Sequence, residues 1–154
     1  MAQAKTIKFG DQLIMISDMA TPTPAFVAPC GFEQLTLTVN VQTNDTNVPD
    51  CDDPDLPAWL QTDVVSKQMR LSGSGVLDTD AMRNIWQDWW LNDEPASEIP
   101  VRWYRDLSAG AGGGYFQAPA VLTSYSETGQ RGQRWQIAVE LALNGKPVWT
   151  AATT

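Results

Sequence analysis

A chain of 154 residues that is 43% hydrophobic and 18% charged holds enough apolar side chains for one domain with a genuine core. Its 18 acidic against 10 basic residues leave a formal net charge of −8, a poor balance for gripping phosphates, which draws on Lys and Arg to displace counterions. The absence of histidine excludes Ser-His-Asp and Cys-His catalysis, and it removes the usual general base near neutral pH.

The first forty or so residues read as β structure broken by turns. Leu13–Ile16 is a short apolar run ended by Ser17-Asp18, and Thr21-Pro22-Thr23-Pro24 then interrupts any ladder, because neither proline has an N–H to give. Glu33–Thr43 is the clearest strand: Leu35, Leu37, Val39 and Val41 alternate with Thr36, Thr38, Asn40 and Gln42. The wet face of this strand is polar but uncharged, where an ordinary exposed strand would carry Lys or Glu. Asn44–Gln61 is expected to be a long loop, with Pro49, Pro54 and Pro57, and with Asp45, Asp50, Asp52, Asp53 and Asp55 but no basic residue. Trp59 and Leu60 near its end point to docking against something. A strand resumes over Asp63–Leu77, where Gly73 and Gly75 signal a bend or bulge. Together these segments predict a long hairpin with an oversized tip.

One helix follows. Asp78, Thr79 and Asp80 supply a cap and first-turn acids, and Met82, Ile85, Trp86, Trp89 and Trp90 form an amphipathic stripe that Asn92–Pro95 ends. A helix laid over an open sheet needs such large apolar side chains, so the stripe reads as core in preference to a ligand-stacking platform. Ile99–Asp106 is a strand, residues 107–114 a flexible glycine-rich loop, and Tyr115–Ser126 and Arg134–Leu143 two further strands. In the last, Trp135, Ile137, Val139, Leu141 and Leu143 alternate with Gln136, Ala138, Glu140 and Ala142. Asn144-Gly145 is a strong turn signal, and Val148-Trp149 is a short edge segment.

Chemistry-bearing motifs fail one by one. Cys30 and Cys51 are too few for a thiolate zinc site and form no C-x-x-C pair. A calcium loop opened at Asp50 would place Pro54 and Asp55 at its fifth and sixth positions and Gln61 at its twelfth. The glycine run 110–114 lacks the spacing and the following helix of a dinucleotide site, and there is no Gly-Lys-Ser/Thr. Asn44-Asp45-Thr46 is a chance sequon. Leu13–Ile16 is too short for a signal-peptide core, and no segment is long enough to span a membrane. The expectation is a cytoplasmically made protein with reduced thiols, no metal, no cofactor and no enzymatic activity. Whether Cys30 and Cys51 pair depends on whether the fold brings them together.

Three stretches resemble a known family: Ala28-Pro29-Cys30-Gly31-Phe32 before the long strand, Val48-Pro49-Asp50-Cys51-Asp52-Asp53-Pro54-Asp55 in the loop, and Leu71-Ser72-Gly73-Ser74-Gly75 leading into the tryptophan helix. With the hairpin, helix and glycine-rich loop, they are similar to the tail tube proteins of long, non-contractile-tailed phages and of gene transfer agents, over roughly residues 5–150. That resemblance implies a mainly β (α+β) single domain over 1–154: a sandwich or open barrel with one flanking helix, whose long hairpin joins an inter-subunit barrel. It implies hexameric rings stacked into a hollow conduit for double-stranded DNA, in a virion tail assembled in the bacterial cytoplasm. Implied partners are further copies of the chain, a tape measure protein, a tail terminator and a distal tail protein. Thr36, Thr38, Asn40 and Gln42 would then approach the lumen. Asp50, Asp52, Asp53, Asp55, Trp59 and Leu60 of the 44–62 loop would meet the neighbouring ring, with Arg102, Arg105, Arg131 and Arg134 as candidate partners of its aspartates. The competing readings are a tail terminator or distal adaptor of related fold, and a β-sandwich carbohydrate-binding module using Trp59 and Trp149.

Overall fold

The computed structural model describes residues 2–17, 25–77, 81–91, 93 and 98–153, with backbone only at 81–83. Its strands are β1 (Gln12–Ser17), β2 (Phe26–Val27), β3 (Phe32–Val48), β4 (Trp59–Val76), β5 (Ile99–Arg105), β6 (Gly114–Thr128), β7 (Gln136–Leu143) and β8 (Val148–Ala151). One helix, α1 (Ala81–Leu91), lies between β4 and β5. All eight strands join a single antiparallel sheet in the order β2-β1-β5-β6-β7-β4-β3, with β8 paired to β6. Among the described residues no ladder joins β3 to β2, so the sheet stays open and is not a closed barrel. The mainly β class with one flanking helix is therefore what the sequence pattern leads to.

Period-two alternation decides which face is buried. Ile14 and Ile16 of β1, Leu71 of β4, Val101 and Trp103 of β5, Ala118 and Ala120 of β6, and Ile137, Val139 and Leu141 of β7 form one apolar cluster. The helix closes it with Trp86 and Trp89, 2% and 3% exposed. The two indoles stack at 5.9 Å between centroids, and Trp86 meets Phe32 edge-on at 6.4 Å. Such pairs add to the burial of large aromatic area. The buried Trp103 keeps its indole N–H satisfied by donating to Gln12 Oε1 at 2.7 Å. Trp90, the third tryptophan of the expected stripe, is 52% exposed. At about 100° per residue it sits at the rim of an arc centred between Trp86 and Trp89, in the helix's last turn. Met82 and the capping residues Asp78, Thr79 and Asp80 lie outside the described side chains.

Two loop expectations change. The loop expected over 44–62 is shorter, because β3 runs on to Val48 and β4 begins at Trp59. Asn44, Thr46 and Val48 are laddered to Asp63, Gln61 and Trp59, and Thr62 Oγ1 donates to Asp45 Oδ1 at 2.7 Å. Cross-strand pairing overrides the weak strand preference of Asn and Asp. Pro49 and Pro57, which cannot donate, mark the first and last residues but one of the true connection. The 107–114 segment ends earlier than expected, because Gly114 already belongs to β6, and within it Ala111 and Gly113 N–H both donate to Ser108 O at 3.0 Å.

Glycine is required where β3 meets β4. A Cβ on Gly75 would lie 2.7 Å from both Glu33 N and Phe32 Cα and closer still to Gly31 O, at the point where Glu33 bulges out of the ladder. Gly75→Ala is expected to destabilise by about 2 kcal/mol through overpacking against backbone that cannot retreat. Gly10→Ala, with open space around its Cβ, should shift stability by less than about 0.5 kcal/mol, both read from urea denaturation midpoints.

Candidate functional site

The long hairpin outruns the sheet. β7 covers β4 only from Arg70 to Val76, so the part of β4 from Trp59 to Met69 is laddered to β3 alone. A two-stranded ribbon is marginal in water by itself. This one also leaves large apolar side chains uncovered: Val39, Val41, Leu60, Val64 and Val65 are about half exposed or more, and Trp59 is 86% exposed. Val39 and Val41 prolong the Leu35–Leu37 row that packs against the core, so the apolar stripe of β3 runs off the end of its cover.

The opposite face of the same strands is polar. Thr36, Thr38, Asn40 and Gln42 are all exposed and stand opposite Ser72, Arg70, Gln68 and Ser66 of β4. Register carries the surface onward through Glu140 and Ala138 of β7 to Ser124 and Ser126 of β6. Arg70 and Glu140 bring one charge of each sign to this hydroxyl- and amide-rich surface. The β4 half of it escaped the sequence reading, although its alternation of Ser66, Gln68, Arg70, Ser72 and Ser74 with Lys67, Met69 and Leu71 is the signal that would have found it.

The four strands β6-β7-β4-β3 have an open edge on either side. Among the described residues β3 has no neighbour beyond β4, and β6 pairs with β5 only up to Ala120, leaving Val121–Thr128 open on that flank. Long open edges invite pairing with another chain.

The sequence matches the family model for phage tail tube protein over residues 6–149. The chain belongs to the phage tail tube protein family. Among solved structures, it is similar to a chain from the virion of a native gene transfer agent particle, with TM-score 0.75 and 17% identity over 95% of this chain and 100% of that one. A chain from the C6-symmetric tail of an empty gene transfer agent particle gives 0.74 and 18% over 95% and 100%. The SPP1 tail tube gives 0.68 and 10% over 97% and 81%. No curated protein matches the sequence.

The tail tube subunit is thus a structural protein, and its expected contact residues fall into separate places. Asp50, Asp52, Asp53 and Asp55 lie in the exposed connection at the hairpin tip. Asp50 Oδ1 accepts from Asp52 N at 2.9 Å and Asp53 Oδ1 from Asp55 N at 3.3 Å, two turns that pre-shape the tip. Among the described residues no acidic or thiol groups converge as a metal would need. Trp59 and Leu60 stand opposite Val48 and Asn47, hence on opposite faces of the ribbon and not on one anchor. Arg131 and Arg134 are exposed in the β6–β7 connection, at the hairpin's other end, since β7 starts opposite Val76. Arg102 and Arg105 are engaged elsewhere. Arg102 lies 3.7 Å from the Phe26 ring and 4.2 Å from Tyr115, with Nε donating to Gln117 Oε1 at 2.9 Å. Arg105 lies over Phe116 and Trp149.

Amide exchange tests whether the ribbon depends on assembly. In the unassembled protein residues 39–48 and 59–69 should exchange roughly a hundredfold faster than in assembled tubes, while β7 stays protected in both.

Proposed function

We propose that six copies of this tail tube subunit close into a ring through β3 of one copy and β6 of the next, and that rings stack head to tail into a conduit for double-stranded DNA. The observation that carries the lateral contact is the pair of open edges on the four-strand unit β6-β7-β4-β3. Those strands alternate in direction, and their number is even. Rotation about the ring axis therefore brings β3 against the neighbour's β6 antiparallel, and the ladder closes without a break in pattern. Closure removes both edges and lays the ribbon's uncovered valines against the adjoining subunit. The C6 symmetry of the gene transfer agent tail it resembles supports six copies.

The helix occupies the apolar side of the sheet, so the polar side lines the channel, with Thr36, Thr38, Asn40 and Gln42 on it. Hydroxyls and amides, with Arg70 offset by Glu140, give sliding phosphates no cationic surface to bind, in contrast to proteins whose affinity comes from counterion release. The role is structural and needs no catalytic group or cofactor. The tape measure, terminator and distal tail proteins are the partners implied at its lumen and its two ends, in a tail assembled before release from the host cytoplasm.

Stacking joins unlike ends. The aspartates of the tip meet Arg131 and Arg134 of the next ring, each exposed pair contributing only about 0–1 kcal/mol, but repeated around the ring and therefore fixing register. Asp52→Lys with Asp53→Lys should leave the monomer within about 0.5 kcal/mol of its original stability. Negative-stain microscopy of that variant should show rings without tubes, and Arg131→Asp with Arg134→Asp in the same chain should restore tubes. Unaltered tubes from the lysine variant would overturn the assigned contact, and a protein that forms neither rings nor tubes at any concentration would overturn the ring itself.

A further inference from the structure

We infer that Cys51 of one ring and Cys30 of the next form a disulfide that staples stacked rings together, an inference that rests on the head-to-tail stacking proposed above. The chain has two cysteines, and both are exposed free thiols. They cannot meet within one copy. The 17 residues of β3 lie between them, laddered to β4 from Phe32 to Val48 except at the Glu33 bulge, which sets them on the order of 50 Å apart at ~3.3 Å per residue. A disulfide needs Cα atoms within about 7 Å.

The same strand sets the thiols at opposite ends of the hairpin, Cys51 within the acidic tip and Cys30 on the side of the arginine connection. Cys51 sits in the tip between Asp50 and Asp52. Cys30 adjoins Gly31, whose carbonyl accepts from Val76 N at 2.9 Å; the next residue, Leu77, donates its N–H to Trp135 O, beside Arg134. The arginine connection and Cys30 are thus held at one end of the subunit by neighbouring residues of β4's exit. A head-to-tail contact is heterologous and joins unlike surfaces, so it pairs Cys51 with Cys30 and neither with its own kind. Each copy would carry one bond upward and one downward, and the bonds would run as covalent strings along the tube.

Formation is a two-electron oxidation. Each thiol loses its proton, the sulfurs bond, and the two electrons with the two protons pass to dioxygen, giving hydrogen peroxide. Reducing thiol pools hold cysteines apart inside a cell, so the staple closes after release, once charge and strand pairing have set the register.

The test oxidises assembled tubes with diamide, imaging one portion and running another on a non-reducing denaturing gel. Wild-type tubes should give a ladder of dimers, trimers and longer multimers that dithiothreitol collapses to monomer. Tubes of Cys30→Ser alone or Cys51→Ser alone should stay monomeric, and an equal mixture of the two variants, co-assembled, should give dimers and nothing longer. Dimers in either variant alone would overturn the unlike pairing. Wild-type tubes that remain monomeric after oxidation would overturn the staple and leave stacking intact, whereas micrographs without rings or tubes would overturn both.

Discussion

The β3–β4 ladder is longer than the sheet that supports it, and most of what is unusual about this subunit follows from that mismatch. From Arg70 onward β4 has β7 on its other flank and the tryptophan helix over its apolar side. Toward the tip it has neither, and the valines of the ribbon stand in solvent. A protein whose end state is a monomer would shorten such a ribbon or charge it. Here Val39 and Val41 keep the alternation begun by Leu35 and Leu37, as though the core were meant to continue into a second molecule. In the proposed ring the adjoining subunit supplies that missing cover.

That extension matters because the sheet has unlike faces. Phe32, Leu35, Leu37, Leu71, Val139 and Leu141 face the helix, while Thr36, Thr38, Ser72 and Ser74 face away from it. A helix on one side alone leaves the other side free to bound a channel, and alternation makes the division continuous across strands. The constraint also acts in reverse. A one-residue slip of β3 against β4 would carry Leu35 and Leu37 to the polar side and Thr36 and Thr38 into the core. The Glu33 bulge and the glycines opposite it, Gly73 and Gly75, hold the register at the base, where Phe32 packs directly on Gly73.

Much of this was legible from side chains alone, and the reasons are local. The alternation in 33–43 and 135–143 and the 3.6-residue spacing of Ile85, Trp86 and Trp89 are patterns that burial imposes directly on sequence. The resemblance in the Cys-Gly-Phe and Pro-Asp-Cys-Asp-Asp stretches led to the right family. What escaped depends on partners distant in the chain. Asn44–Val48 looks like loop by composition and is strand because Trp59–Asp63 lies beside it. Among the described residues β6 has an open flank because its ladder with β5 ends at Ile99, opposite Ala120. Arg102 and Arg131 are equivalent as letters, yet one is held between Phe26 and Tyr115 and the other stands free in a turn at the base. Topology separates them, and composition cannot.

Polarity along the hairpin completes the design. A chain of net charge −8 repels its own copies, which favours solubility before assembly and opposes packing during it. The repulsion is relieved if the excess acid is concentrated at one end and positive charge at the other, because a head-to-tail stack then alternates sign at every junction. The aspartate tip and the Arg131–Arg134 turn sit at those two ends. In the proposed assembly, antiparallel edges act sideways and unlike charges act lengthwise, so the two contacts would use different surfaces and different physics. Strand pairing is short-ranged and exacting in register, whereas charge attraction reaches about 8 Å at physiological ionic strength and tolerates small misalignment. In the proposed stack, charge would orient an incoming subunit by its ends before its edges lock.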